Sequence, residues 1–214
     1  MLSIVIPIYN IHKDIVDLTN RCLKSIKKYT KDYEIIIIDN KNGEQWKKDA
    51  DIYIKNEKNN GNGAAWNQGA KLANGEYLVF SDNDIEILTP NWFKYFEEVF
   101  KNKKTGIVFP ITKNKEDDDY FARLSGFFWA IKKELFNKVG KIDENFGIAN
   151  FEDSDIFCRV KNLGYELTCT TKVKVKHYSR ATCDRVPEVQ QRYEQNEKYF
   201  FSKHPVLPLL DKVL

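Results

Sequence analysis

An unbroken run of four isoleucines, Ile35–Ile38, constrains the fold of this chain more than any other feature. Glu34 precedes the run and Asp39 follows it. A strand that is apolar at every position has to be covered on both faces, which is the situation of a central strand in a parallel sheet between helices. The apolar run Tyr77–Phe80 also ends in polar residues, at Ser81–Asp84. These patterns predict a buried sheet that carries polar groups at the ends of its strands.

Helical and strand-like patterns alternate along the chain. The β-branched segment Ile4–Ile8 predicts a first strand, and apolar residues then recur every three or four positions from 11 to 26, as on the buried face of a helix. This order is typical of an α/β fold with a mostly parallel sheet, in which ligands bind beyond the carboxyl ends of the strands. Further strands are predicted at 51–54, 106–110, 127–131 and 172–177, an exposed loop at 113–119, and further helices at 63–73, 92–100, 156–163 and from 186 to Pro205.

Composition narrows the class of protein. With 214 residues, the chain is long enough for one domain with a sizeable core. Its 34 basic and 31 acidic residues leave a net charge of +3, which does not indicate nucleic-acid binding, and there is no clear basic patch. No apolar run approaches the roughly 20 residues that cross a bilayer, and the N-terminus lacks the basic region of a signal peptide. The four cysteines form no C-x-x-C pair. We expect a cytoplasmic protein with reduced cysteines, at most peripheral to a membrane.

Asp82 and Asp84 follow the predicted strand at 77–81. Residues i and i+2 of an extended chain point to the same side, so the two carboxylates converge if the extended geometry persists. Carboxylate oxygens suit Mg²⁺ or Mn²⁺ and, through the metal, phosphates. The same residues also suit a plain turn, because Asp and Asn favour loops after strands. His177 ends another predicted strand and is a candidate third ligand, since neutral imidazole binds Mn²⁺.

Two further segments carry candidate chemistry. Asn59–Gly69 is a glycine-rich loop that opens a helix, where backbone amides can receive phosphate oxygens, although its glycines would equally permit close helix packing. Glu152, Asp153 and Asp155 lie within four positions at the start of another helix. One acid there complements the helix dipole, but three exceed what capping needs. Glu152 and Asp153 point in different directions, so one can act as general base and the other can position.

Taken in order, these motifs resemble those of family 2 glycosyltransferases with the GT-A fold, over nearly the whole chain. Residues 3–10 look like the first strand of that family and residues 34–40 like its second, while Asp82–Asp84 matches its D-x-D element. Each motif is weak alone, and their ordered co-occurrence carries the resemblance. The remaining matches are the N-x-G…N-x-G loop at Asn59, Gly61, Asn67 and Gly69, and the later G…(V/L)G-x-(F/I)DE-x-F…ED-x-D…R order at Gly126, 139–146, 152–155 and Arg159.

The resemblance implies a GT-A fold with a mixed, mostly parallel central sheet flanked by helices, in one domain over residues 1–214. Residues 1–110 would bind the nucleotide sugar, residues 111–185 would form the acceptor and catalytic half, and residues 186–214 would form a C-terminal helix. The implied reaction is an inverting, metal-dependent transfer of a sugar from a nucleoside-diphosphate donor. The acceptor stays open among a glycan, a lipid-linked sugar, a protein and a modified nucleobase, and the donor sugar and its base stay open as well.

The resemblance also implies roles for individual residues. Asp153 is the predicted general base, with Glu152 as the alternative. After Asp39 the chain has residues 40–43 in place of the small Ser/Asp turn usual in the family, which bears on contacts to the nucleotide base. The expected ligands of Mn²⁺ or Mg²⁺ are Asp84, His177 and Asp82. The residues expected at the donor are Pro7, Tyr9, Asp39, Asn67, Asp82 and Asn83.

Two other classes of function fit some of these features. A nucleotidyltransferase also uses paired aspartates on an α/β sheet, but it would normally carry a basic glycine-rich loop near the first strand, where this chain has Pro7–Asn10. A non-catalytic nucleotide-sugar-binding module would have no need of the metal ligands or of Asp153. The sequence therefore favours an enzyme.

Overall fold

A single mixed sheet forms the centre of the protein. The computed structural model describes residues 1–113, 121–122, 124–178 and 186–205. Over these residues the sheet has nine strands in the order β3-β2-β1-β4-β8-β6-β9-β5, with β7 paired to β6. The strands are β1 (Leu2–Tyr9), β2 (Tyr33–Lys41), β3 (Ile52–Lys55), β4 (Tyr77–Ser81), β5 (Ile85–Ile87), β6 (Thr105–Lys113), β7 (Phe121–Ala122), β8 (Phe128–Lys132) and β9 (Glu166–His177).

Helices cover both faces of this sheet. One face packs against α1 and α3, and the other packs against α2, α4 and α5. None of the helices in the described ranges has the length and apolar composition that crossing a membrane requires. The helices are α1 (Lys13–Tyr29), α2 (Asn62–Leu72), α3 (Phe93–Phe100), α4 (Lys133–Val139), α5 (Glu152–Asn162) and α6 (Pro187–Lys203), with 3₁₀ turns at Glu44–Asp49 and Glu144–Phe146.

The isoleucine run of β2 explains this two-sided architecture. Ile35 and Ile37 belong to the core beneath α1 and α3, whereas Ile36 and Ile38 belong to the core beneath α2, α4 and α5. Successive strand residues point to opposite faces, so a strand that serves two cores has to be apolar throughout. The continuous run is therefore a direct consequence of burial on both sides.

The predicted mixed, mostly parallel α/β sheet is confirmed. Neighbouring strands from β3 to β4 are parallel, and β6 is parallel to β9. β8 runs antiparallel to β4 and β6, β5 runs antiparallel to β9, and β7 runs antiparallel to β6. The strands β5 and β7 and the helix α4 were absent from the sequence prediction, because three, two and seven residues are too short to show a clear period. The predicted strand at 172–177 is the second half of β9, and the predicted loop at 113–119 lies outside the described residues after Lys113.

Candidate active site

The two aspartates that follow β4 and the histidine that ends β9 lie together. One ligand atom from each of Asp82, Asp84 and His177 is within 4.8 Å of the other two. His177 Nε2 is 3.3 Å from Asp84 Oδ1 and 3.9 Å from Asp82 Oδ2. The extended geometry does not persist, because β4 ends at Ser81 and the chain turns at residues 83–84 before β5. A turn, and not the strand period, brings the aspartates together.

Strand pairing sets the positions of Asp84 and His177. In the antiparallel ladder between β5 and β9, Ile85 lies opposite His177. Tyr178 also donates its backbone N–H to the carbonyl of Asp84 at 2.9 Å. The short strand β5, which the sequence did not reveal, is therefore the element that joins these two candidate ligands.

The two residues before β8 connect the metal-ligand cluster with the acidic helix α5. Phe127 accepts the backbone N–H of Asp82 at 2.8 Å, and its ring stacks on the His177 imidazole with 4.4 Å between centroids. The preceding Gly126 donates its N–H to Asp153 Oδ2 at 2.8 Å. The sequence motifs identified Gly126 as a candidate functional residue but not Phe127. The only feature of the sequence that could have pointed to Phe127 is its position next to that glycine. One dipeptide thus contacts both the metal-ligand cluster and the start of α5.

Asp153 sits at the start of α5 with both of its carboxylate oxygens oriented by backbone donors. Oδ2 accepts from Gly126, and Oδ1 accepts the N–H of Ser154 at 2.7 Å. A Cβ on Gly126 would lie 2.6 Å from Asp153 Oδ2 and 2.9 Å from its Cγ, so only glycine fits without displacing the carboxylate. Asp153 is only half-buried, so its oriented carboxylate is partly accessible from solvent.

Glu152 has the opposite environment. Its side chain is buried, and within the described part of the chain its Oε2 has no hydrogen-bond partner. Burial, followed by the nearby charge of Asp153, raises the pKa of Glu152 to about 8. Glu152 is therefore mostly protonated at neutral pH, whereas a general base has to be ionised before it can take a proton.

The residues of the ligand cluster fit a divalent cation. Asp84 Oδ1 is buried and accepts no hydrogen bond from the described residues, and His177 Nε2, from the other candidate ligand, lies 3.3 Å from it. The pKa of Asp82 is raised, first by burial and then by neighbouring carboxylates, of which Asp84 has the largest effect. A bound cation would offset this repulsion. Two carboxylates and an imidazole are ligands that suit Mn²⁺, and 29% of the Asp82 side chain is exposed and available to an entering ion.

Three of the predicted donor residues lie at the carboxyl ends of β1 and β2. Pro7 is buried within β1, and Tyr9 is half-buried at its end. Asp39 is fully buried near the end of β2, and its carboxylate oxygens accept hydrogen bonds from the N–H of Gly43 at 2.9 Å and from the hydroxyl of Tyr53 at 2.5 Å. Both oxygens of Asp39 are thus engaged with the protein itself.

Two more of the predicted donor residues use their amides to hold the structure. Asn67 on α2 donates to the carbonyl of Ile142 at 2.9 Å and accepts its N–H at 3.0 Å. Asn83, between the two aspartates, is buried and donates to Thr19 Oγ1 on α1 at 2.8 Å. These contacts fix α2 and the metal-ligand turn relative to their neighbours.

The glycine-rich loop serves close packing. Gly61 has φ of +86°, and a Cβ at this position would lie 2.1 Å from the carbonyl oxygen of Gly147. The first N–H of α2, that of Asn62, is donated to the carbonyl of Ile148 at 3.1 Å. Of the two interpretations that the sequence left open for this loop, packing is the one for which the described contacts give evidence.

Asp155, the third acid of the sequence cluster, ties α5 to α6. Its side chain is fully buried and accepts from Arg159 Nε at 2.8 Å, from Lys203 Nζ at 2.7 Å and from His204 Nε2 at 2.9 Å. No local sequence pattern indicated this contact to His204, because the partners are 49 positions apart. The carboxylate of Asp155 is therefore engaged by the protein itself, which leaves Glu152 and Asp153 as the candidates for a general base.

Solved structures with the same fold define the class of protein. The fold superimposes on the mannosyltransferase PcManGT from Pyrobaculum calidifontis in complex with GDP-Man and Mn²⁺, with a TM-score of 0.72 and 16% identity over 95% of this chain and 63% of that chain. It also superimposes on GalNAc-T7 with UDP, GalNAc and Mn²⁺, with a TM-score of 0.69 and 19% identity over 96% of this chain and 50% of that one. The architecture is thus that of the GT-A glycosyltransferases.

Sequence comparison then assigns the family. Residues 3–160 match the profile of glycosyl transferase family 2, and the chain belongs to this family. A curated relative, the poly(ribitol-phosphate) beta-glucosyltransferase of Bacillus spizizenii, is 35% identical in an alignment 113 residues long that covers 45% of this chain. The aligned segment spans only 17% of that relative, so the resemblance covers a small part of the longer protein.

Proposed function

We propose that this glycosyltransferase transfers a sugar, with inversion, from a nucleoside-diphosphate donor to an acceptor hydroxyl or other nucleophile, in a reaction that depends on Mn²⁺ or Mg²⁺. The observation that carries the proposal is the link through Gly126 and Phe127, which connects a carboxylate–imidazole cluster to an oriented carboxylate. The presence of UDP or GDP-Man together with Mn²⁺ in structures of the same fold supports the donor class and the metal.

The ligand cluster is proposed to serve the leaving group. Asp82, Asp84 and His177 would hold the divalent ion. When bound, the ion would stabilise the negative charge that develops on the departing diphosphate. The cluster lies beyond the carboxyl end of β4, the edge of the sheet at which α/β proteins bind their ligands.

Asp153 is proposed as the general base. It would accept the proton of the acceptor as the acceptor attacks the sugar carbon from the side opposite the diphosphate. Its two backbone donors orient the carboxylate, and its partial exposure gives the acceptor access. Glu152 is proposed to remain a neutral neighbour at physiological pH, because its pKa is raised to about 8.

The remaining assignments divide the chain between donor and acceptor. Residues 1–110 are proposed to bind the donor, with Pro7 and Tyr9 beside the nucleotide, and residues 111–185 are proposed to receive the acceptor. Asn67 and Asn83 are proposed to support this surface through the contacts that hold α2 and the turn between the aspartates. A cytoplasmic location is part of the proposal.

A screen of nucleotide sugars with Mn²⁺, in which the release of nucleoside diphosphate is measured, tests the function. We expect release from at least one donor, loss of release with EDTA, and loss of release in Asp153→Asn. Release of pyrophosphate from a nucleoside triphosphate would instead identify a nucleotidyltransferase. Tight binding of a nucleotide sugar without turnover, with a panel of glycan, lipid-linked and peptide acceptors present, would identify a binding module.

A further inference from the structure

Two consecutive residues immediately before Glu152 and Asp153 have left-handed backbone conformations. Asn150 has φ of +76° and Phe151 has φ of +72°. Left-handed geometry is uncommon for residues other than glycine; asparagine tolerates it, whereas a bulky residue such as Phe151 keeps it only where the surroundings impose it. The direction in which α5 starts, and with it the direction of the Asp153 carboxylate, therefore depends on whatever holds this turn.

The residue that holds the turn is Asn196, in the middle of α6. Its side-chain nitrogen Nδ2 lies 2.8 Å from the carbonyl oxygen of Phe146, 2.9 Å from that of Ala149 and 3.3 Å from that of Asn150. Only 2% of Asn196 is exposed. A single buried amide group thus contacts three backbone carbonyl groups between residues 146 and 150 and can share its two N–H donors among them.

Other side chains of α6 also contact this turn. The ring of Phe151 packs against Tyr193 and Phe200, with centroid distances of 5.2 Å and 5.5 Å. The guanidinium of Arg192 lies directly over Gly147, where a Cβ would be 1.7 Å from Nη1. The contacts of α6 with this segment are numerous, but Asn196 is the residue that supplies hydrogen bonds at both of its ends, to Phe146 and to Asn150.

We propose that Asn196 is a positioning residue for the general base, acting through the turn at residues 146–151. The proposal rests on the proposed function of Asp153. Asn196 lies outside residues 3–160, the segment that matches the family profile, so the inference comes from the contacts of this chain alone. Loss of the amide would let the turn relax toward right-handed geometry and would turn the Asp153 carboxylate away from the acceptor, while the proposed metal ligands between β4 and β5 and at the end of β9 would stay in place.

Asn196→Ala tests the proposal, with Gln195→Ala as the matched control, because Gln195 is the preceding residue of α6 and is exposed. For Asn196→Ala we expect kcat to fall on the order of 10²-fold, the typical cost of a misplacement of about 1 Å, with unchanged donor KM and unchanged Mn²⁺ affinity. Amide hydrogen exchange should accelerate at the start of α5, where the Asp155 N–H is donated to Phe151. Gln195→Ala should change none of these quantities.

A rescue variant separates positioning from general stability. Glycine adopts φ of +76° without strain, so Asn150→Gly should restore part of the lost kcat in the Asn196→Ala background. Unchanged exchange at residues 149–155 in Asn196→Ala would overturn the proposal, and so would equal losses in kcat and Mn²⁺ affinity or the absence of rescue. If the wild-type protein turns over no nucleotide sugar, the proposed function fails. Hydrogen exchange at residues 149–155 in Asn196→Ala still shows, without any turnover, whether Asn196 holds this turn.

Discussion

The candidate active site has two sides, the proposed metal ligands (the metal side) and the proposed base Asp153 (the acid side), and they are built by different means. On the metal side, the pairing of β5 with β9 places Ile85 opposite His177, and the ligands follow from this backbone ladder. On the acid side, Asp153 follows a turn with two left-handed residues that are held by side chains of another helix. A ladder of backbone hydrogen bonds survives most changes of side chain, whereas a strained turn depends on a few individual residues. Mutations remote from the chemistry should therefore damage the acid side more than the metal side.

The largest effect is expected from Asp153→Asn. The amide keeps the shape of the side chain but cannot accept a proton, so kcat should fall about 10²–10⁴-fold. Affinity for Mn²⁺ and for the donor, measured by calorimetry, should stay close to wild type because Asp153 is not one of the proposed metal ligands. A combined loss of turnover and metal affinity would mean that the two sides are not separable.

Asp84→Asn should have the converse effect. Loss of a residue that hydrogen-bonds to a metal ligand typically lowers metal affinity by about 10–100-fold. Asp84 would contact the metal directly, so we expect Mn²⁺ affinity to fall by about 100-fold in this variant. The metal-free variant should be at least as stable as wild type, because the charge of Asp84 repels Asp82. Calorimetric titration and thermal unfolding in EDTA measure the two quantities. Wild-type Mn²⁺ affinity in this variant would exclude Asp84 as a ligand.

Gly126→Ala tests the link between the two sides. Its Cβ would lie 2.6 Å from Asp153 Oδ2, so the carboxylate has to move, and we expect kcat to fall by roughly 10–100-fold. Mn²⁺ affinity should change much less, since Phe127 binds Asp82 through its own carbonyl group. Serine at position 154 offers a comparison: Ser154→Ala keeps the backbone donor to Asp153 and should retain most of the activity. If Gly126→Ala and the wild type had the same kcat, the result would argue against Asp153 as the base.

Glu152→Gln should have the smallest effect on turnover and a distinct effect on stability. The pKa of Glu152 is raised from 4.5 to about 8, so between these pH values the unfolded chain ionises this group while the folded protein does not. The free energy of unfolding of wild type should therefore fall, relative to the glutamine variant, by up to about 1.4 kcal/mol per pH unit as the pH rises from 5 to 8. Urea titrations in EDTA at several pH values measure this difference. Parallel curves would show that Glu152 is ionised in the folded state.

Much of the fold was predictable because buried helices and strands show a characteristic spacing of apolar residues in the sequence. The isoleucines of β2 indicated a sheet covered on both faces, and the same logic placed Asp82, Asp84 and His177 near strand ends. The convergence of the aspartates came from a turn and from β5, which is too short to produce a period. The contact between Asn196 and the turn joins residues 46–50 positions apart, and no local pattern encodes such a pairing.

The buried Asp155 has a consequence for where the folding unit ends. Lys203 and His204 contact its carboxylate from the far end of α6, more than 40 residues beyond the segment that matches the family profile. A fragment cut after β9 would keep Arg159 as the one described cationic partner of Asp155. Removing partners from a buried ionic group typically costs about 3–5 kcal/mol, a large fraction of the stability of a domain. In protein engineering, a module that is exchanged between such enzymes and contains α5 would therefore have to include α6 as well, because α6 supplies cationic partners of Asp155.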